Sequence, residues 1–299
     1  MSESSYPRLQ LDALAFTIRI TRYWFETFRT NLDIFCSENT PAGDSSEFSA
    51  SRYRRTVKIG LGCVNRVMWV QVNPFNQADS PIRVELKGHP YENIHYKRAN
   101  AIIRTLLYKI PSDEVSTCVT RVDVALDILG SLDDLYCHKL RSKVYTTTFA
   151  QQGELVCIRL GKSSSKYYLC VYAKKWKESR YSHTTKPGCL RVEMRCKPRV
   201  PLTHVIAELD IQKRLDNILL INRKVVSNSK VLTRSERSIA RRFGITPLIM
   251  SNSPNNKRQL IDRLKDYRMP LIASGFVRDR CDTIHKQLCN LAKLKVKHR

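Results

Sequence analysis

Residues 118–129 read CVTRVDVALDIL, a run in which apolar or β-branched residues alternate with polar ones, the pattern of a β-strand. Along such a strand Val122, Val124 and Leu126 project from one face and the carboxylates of Asp123 and Asp127 from the other. LRVEMR (190–195) repeats the arrangement, with Glu193 pointing away from Val192 and Met194. Acids centred in otherwise apolar strands need partners, because an unpaired buried carboxylate is costly. A divalent cation would serve; so would Arg121, Arg191 or Arg195, the arginines two residues away on the same strands. Hard oxygen ligands suit magnesium or manganese, and the seven histidines offer no His-hydrophobic-His triplet for a histidine-held ion.

Towards the N-terminus, LDALAFTIRI (11–20) reads as a first strand and ITRYWFETFRTNLDIF (20–35) as a helix. The polar segment SENTPAGDSSEFSAS (37–51) reads as a loop. YRRTVKIGLG (53–62), VMWVQVNPF (67–75) and PIRVELKG (81–88) follow as an antiparallel meander, and the apolar spacing of 91–109 predicts a helix packed on it. Past the opening strand, LDDLYCHKLRSKV (132–144) reads as a second helix, then GELVCIRLG, YYLCVYAK and CLRVEMRCK as strands. Strand, helix and paired strands thus occur twice. The expected fold is α+β: an antiparallel sheet with helices on one side, built from two related halves, plus a smaller helical C-terminal segment.

After Pro198 and Pro201 the apolar spacing turns helical, in THVIAELDIQKRLDNILLI (203–221), LTRSERSIARRFGI (232–245) and KRQLIDRLKDYRM (257–269). A boundary near residue 201 would divide the chain into 1–200 and a basic helical domain, 201–299. That last third carries about half of the net charge of +25, which arises from 52 Lys and Arg against 27 Asp and Glu. An excess of this size, spread along the whole chain, points to a nucleic acid and away from a membrane surface. No apolar run reaches the roughly 18 residues that span a bilayer, and MSESSYPRLQLD has neither a basic start nor an apolar signal core, so a cytoplasmic location is expected. The ten cysteines, with no C-x₂-C spacing, read as reduced thiols.

KYYLCVYAKKWKE (166–178) places Tyr168, Cys170, Tyr172 and Lys174 on one face of a strand, with Lys175 and Lys177 on the other. A phenol with a pKa of about 10 is a poor nucleophile at neutral pH, yet beside a lysine and a metal-bound phosphate it can lose its proton and attack phosphorus. Packing with one hydrogen bond is the ordinary role of a strand tyrosine.

In their order, TRVDVALD (120–127), LGKSSSKYY (160–168), VYAKKWKE (171–178) and LRVEMR (190–195), with IRVELKGH (82–89) before them, resemble the rolling-circle replication initiators of small plasmids and filamentous phages. The resemblance covers about residues 10–200. It implies that Tyr172 is the nicking nucleophile, assisted by Lys174, and that Asp123 and Glu193, with Asp127 a weaker member, hold Mg²⁺ or Mn²⁺. The chain departs from the family pattern in having AKK after the tyrosine, which leaves Tyr168 open as the nucleophile. The implied reaction is a site-specific nick at a replication origin through a 5′-phosphotyrosine, with later rejoining. Lys162, Lys175, Trp176, Lys177, Arg191 and Arg195 would contact the DNA. ERSIARRFGI (236–245) resembles the start of a helix-turn-helix and would add Arg241 and Arg242; a solvated amphipathic helix reads equally well. Origin DNA, a host helicase and a polymerase are the expected partners in a bacterial host cell, with a homodimer among the assemblies left open.

Two rival readings differ in class. His138 and Arg141 form an H-x-x-R some thirty residues before Tyr172, as in tyrosine recombinases, although 153–196 reads as strands; a relaxase of a conjugative element shares the motifs already quoted. A non-enzymatic DNA- or RNA-binding protein explains the charge and the sheet-borne tyrosines without chemistry.

Overall fold

The computed structural model describes residues 8–39, 43–45, 52–62, 66–76, 81–87, 92–140, 144–149, 155–174, 189–205, 209–228, 230–269 and 275–292. The fold is α+β, with a large antiparallel sheet and eight α-helices among the described residues. No described helix is long and apolar enough to cross a membrane. The chain divides into two compact units, neither of them a consecutive stretch: Leu11–Asp123 with Cys196–Leu209 and Asp282–Arg299, and Val124–Arg195 with Met1–Gln10 and Asp210–Cys281. Residues 210–281 of the C-terminal segment therefore belong with 124–195.

In the first unit, which takes β1 (Arg8–Arg19) from Leu11 onward, that strand is followed by α1 (Arg22–Glu38), the short β2 (Gly43–Ser45), β3 (Tyr53–Gly60), β4 (Val67–Pro74) and β5 (Ile82–Lys87). The strands pair antiparallel in the order β2-β3-β4-β5-β1. Their registers line up apolar rows across the strands: Ile59, Met68, Leu86 and Leu14 in one, Val57, Val70, Val84 and Phe16 in the next. All eight side chains are buried, so the two-residue period of each strand sets one continuous apolar face. Helix α1 buries Phe28 and Leu32, and α2 (Asn93–Leu106) buries Tyr96, Ala99, Ile103 and Leu106, the stripes of amphipathic helices. Asn31 Nδ2 donates to the carbonyls of Leu106 and Tyr108 at 3.0 and 2.9 Å, tying α1 to the end of α2. The strand β6 (Ser116–Leu129) contributes its first half here, where Thr120 donates to the Ala15 carbonyl.

The second unit takes the rest of β6, where Val124, Ala125, Leu126, Asp127 and Ile128 are all buried. After it come β7 (Leu135–Lys139), β8 (Tyr145–Phe149), β9 (Leu155–Leu160), β10 (Tyr167–Ala173) and β11 (Cys189–Cys196), ordered β6-β11-β10-β9-β8 with β7 apart. The helices α3 (Ile211–Asp216), α4 (Arg223–Asn228), α5 (Arg234–Phe243), α6 (Ile245–Ser251) and α7 (Pro254–Lys265) complete it; α8 (Gly275–Ala292) ends the described chain. Their core gathers Leu219, Ile221, Leu232, Ala240, Leu248, Ile249, Leu260 and Leu264.

Besides β2, three residues inside the segment that reads as a loop, three strands differ from expectation. Residues 135–139 form a strand and not a helix, pairing antiparallel with β12 (Ile218–Asn222), itself read as part of a helix. Both runs are short and apolar, and Leu135, Tyr136, Cys137 and His138 are all buried, so neither shows the alternation that separates strand from helix. Pairing satisfies the backbone groups of both. The third is β8, YTTTF, a β-branched run that the sequence reading passed over.

Candidate active site

Neighbouring strands β11 and β10 carry the candidate chemistry of the second unit. On β10 the two-residue period puts Tyr168, Cys170 and Tyr172 on one face. Tyr172 is 3% exposed, and its hydroxyl donates to Glu193 Oε2 at 3.0 Å. The other carboxylate oxygen of Glu193, Oε1, accepts from Arg195 Nη2 at 2.9 Å. Glu193 is thus fixed from both sides: a buried carboxylate whose charge is offset by a guanidinium and whose second oxygen rests against a phenol.

Asp127 on β6 sits in a second cluster. Arg191 Nε donates to its Oδ1 at 2.6 Å and Arg191 Nη2 to its Oδ2 at 2.9 Å, while Lys174 Nζ reaches Oδ2 at 3.2 Å. Burial pushes the carboxyl of Asp127 up, but Arg191 and Lys174 outweigh it and leave the group below its ordinary value. Asp123 belongs to the first unit. It is 0% exposed and is gripped by the Arg121 guanidinium, which also lies 3.8 Å from Glu85 Oε1.

The residues expected to hold the cation are engaged by ion pairs. Among the described residues no group of three or more His, Cys, Asp or Glu side chains could hold a metal ion. Each expected ligand is already neutralised by a cationic side chain: Asp123 by Arg121, Asp127 by Arg191 and Lys174, Glu193 by Arg195. The arginine partners weighed from the sequence are therefore the ones the fold supplies, with Arg191 crossing to Asp127 on the neighbouring strand.

The other tyrosines of β10 have different surroundings. Burial, and next the neighbouring Cys170, push the Tyr168 phenol up to about 12, and the Arg195 guanidinium lies 5.8 Å from its ring centre. Tyr167 is stacked under Arg214 at 3.3 Å. Cys157, opposite Tyr172 in the register, shares a hydrogen bond with Cys170 at 3.3 Å, which lowers its thiol to about 7. All nine cysteines among the described residues are free thiols.

Of the other expected contacts, Lys162 is exposed in the turn before β10, and Arg241 and Arg242 are exposed at the end of α5. Lys175, Trp176 and Lys177 lie outside the described residues, as does Arg141. His138, expected on a helix face, is buried on β7 with Nδ1 3.1 Å from Thr246 Oγ1, a packing role. Helix α6, which follows the Gly244 turn, buries Ile245, Thr246, Leu248 and Ile249, leaving α5 as the exposed basic helix. Sequence reasoning missed the Arg214 stack, for which forty-seven residues of separation leave no local signal.

No family model matches the chain, and no curated protein does. A solved structure, that of the rolling circle replication initiator protein from Geobacillus stearothermophilus, is similar at 16% identity with a TM-score of 0.44, covering 88% of this chain and 97% of that one. Similarity at this level defines neither the fold nor the activity of this chain.

Proposed function

We propose that the chain is a rolling-circle replication initiator that nicks and rejoins one DNA strand through Tyr172. The observation that carries the reading is the hydrogen bond from the Tyr172 hydroxyl to Glu193 Oε2, a nucleophile and a base already in contact. Glu193 accepts the phenolic proton as the oxygen attacks phosphorus. A new O–P ester forms on the 5′ side, the old one breaks, and the 3′-oxygen leaves and takes a proton from water. The ester bond is conserved in the phosphotyrosine, so the reverse attack by a 3′-hydroxyl reseals the strand without ATP. Lys174, Arg191 and Arg195 bring positive charge to the phosphate, the means by which a protein stabilises a phosphoryl transition state. With Tyr172 only 3% exposed, a phosphodiester reaches it only after neighbouring side chains move.

The Mg²⁺ or Mn²⁺ that the resemblance implies stays a proposal resting on the sequence. Adding either ion back to EDTA-treated protein restores adduct formation if it is required, and its ligands must then part from their arginines. A second reading has an observation of its own: every expected ligand is ion-paired, as in a DNA-binding protein whose acids serve stability alone. One experiment separates the two. Short single-stranded oligonucleotides from the protein's own replicon are incubated with it, and the adducted peptide is read by mass spectrometry. An adduct on the peptide containing Tyr172 is expected; DNA binding with no adduct under any cation condition sinks the nicking reading.

A further inference from the structure

The second unit holds a cleft of about 610 Å³ away from the Tyr172–Glu193 pair, within the range of ligand sites. Its walls are β8 and the junction of α5 with α6. On β8, Tyr145, Thr147 and Phe149 share the face turned to the cleft, and Phe243, Gly244 and Arg242 line the other side. Two of these rings are unusually open: Phe149 is 58% and Phe243 54% exposed. A single exposed aromatic needs no explanation, but two in the lining of one cleft do.

The cleft is also charged. Arg223, Arg241 and Arg242 line it against one acid, Asp133. Arg223 is held in place, donating to the carbonyls of Asp133 at 2.9 Å and Arg241 at 3.3 Å, with its guanidinium 5.0 Å from the Tyr136 ring centre. Among the described residues no carboxylate pairs with Arg241 or Arg242. These two also line an adjoining groove of about 750 Å³ with Arg234, Arg237 and Ser238, so a row of arginines leads into the aromatic cleft.

Rings that can take a planar partner, beside guanidinium groups that take phosphates, match the chemistry of a nucleic acid with its bases unstacked. In a duplex the base faces are covered by one another and cannot meet a side-chain ring. We propose that this cleft binds single-stranded DNA, with bases against Phe149 and Phe243 and backbone phosphates on Arg241 and Arg242. The proposal rests on the reading that the chain handles DNA, but it does not depend on Tyr172 as a nucleophile.

The test is fluorescence anisotropy of a short fluorescein-labelled oligothymidylate titrated with the full chain at several salt concentrations. Phe149→Ala and Phe243→Ala should each weaken binding by about tenfold, and Phe243→Trp should retain it. Arg241→Gln should lower the slope of log affinity against log salt by about one counterion. Because both rings are exposed, their truncation leaves the thermal midpoint unchanged, which circular dichroism checks. Wild-type affinity in both alanine variants overturns the proposal even if the Tyr172 adduct forms. Loss of affinity in them supports it even if no adduct is ever seen. A wild-type chain that binds no single strand overturns it together with the DNA reading.

Discussion

Arg191 Nε and Asp127 Oδ1 stand 2.6 Å apart across neighbouring strands, with the Asp127 side chain 3% and the Arg191 side chain 11% exposed. Both charges are out of water, so removing one strands the other. Asp127→Asn should destabilise the protein by roughly 3–5 kcal/mol, read as a lowered urea midpoint at pH 7. The pH dependence has a definite sign. A carboxyl held below its ordinary 3.8 contributes stability that is complete above that value and is lost as pH falls through the folded value. The wild-type chain should therefore lose stability below about pH 4 more steeply than Asp127→Asn. An asparagine variant with an unchanged acid limb would show that the ion pair contributes nothing.

Tyr172 and Glu193 make separable predictions because one supplies an oxygen and the other removes a proton. Tyr172→Phe should abolish the covalent adduct while costing about 1 kcal/mol for one hydrogen bond. Glu193→Gln keeps the shape and the hydrogen bond but not the basicity, so the adduct should form about 10²–10⁴-fold more slowly. Tyr168→Phe should leave the rate unchanged, since burial holds its phenol near 12 and disfavours the anion. Single-turnover kinetics on gel-resolved adduct reads all three. An adduct that survives Tyr172→Phe and vanishes in Tyr168→Phe exchanges the two roles.

Where a strand has one buried face, its sequence announces it: Val57 and Ile59 flank Lys58, Val70 and Val72 flank Gln71, and their strands follow. Arg191 could be named as a candidate partner but not the acid it meets, since that depends on strand order, and Arg191 reaches across to Asp127 on β6. Residues 135–139 and 218–222 were illegible for a different reason. Each is buried on both sides, so alternation is erased and only the pairing of Leu220 with Cys137 and its neighbours makes them strands. The aromatic cleft has no sequence signature at all, because Phe149 and Phe243 are 94 positions apart and line one cleft only through the packing of α6 on β7.

His138 should confer a stability loss in mild acid. Thr246 gives its single hydroxyl proton to the Cys137 carbonyl at 2.8 Å, so the hydrogen bond between Thr246 Oγ1 and His138 Nδ1 requires the proton on Nδ1. Nε2 is then a buried lone pair without a hydrogen-bond partner among the described residues, and protonating it would create an unpaired charge. Burial, and after it the charge of Lys257, push the imidazole from 6.5 down to about 4. Between those values the unfolded chain binds a proton that the folded one refuses, so stability is full above pH 6.5 and falls as pH drops towards 4. The whole window is worth about 3 kcal/mol. Urea midpoints of wild type and His138→Gln, taken across that range, should converge as pH falls; parallel curves would show that His138 titrates normally.

Gly244 joins α5 to α6 with φ +87° and ψ 170°, a combination that a residue with a Cβ rarely adopts. A Cβ there would also stand 3.4 Å from the Tyr145 hydroxyl, at van der Waals contact with the β8 wall of the cleft. Backbone strain and steric contact can be told apart, because only the second depends on Tyr145. Gly244→Ala should lower stability by about 1–3 kcal/mol, with a corresponding drop in thermal midpoint. Adding Tyr145→Phe removes the nearest atom but leaves φ as it is, so the double variant should recover only a small part of the loss. Full recovery would assign the cost to the hydroxyl contact, and no loss in Gly244→Ala would mean that the turn can reach another conformation without disturbing α6.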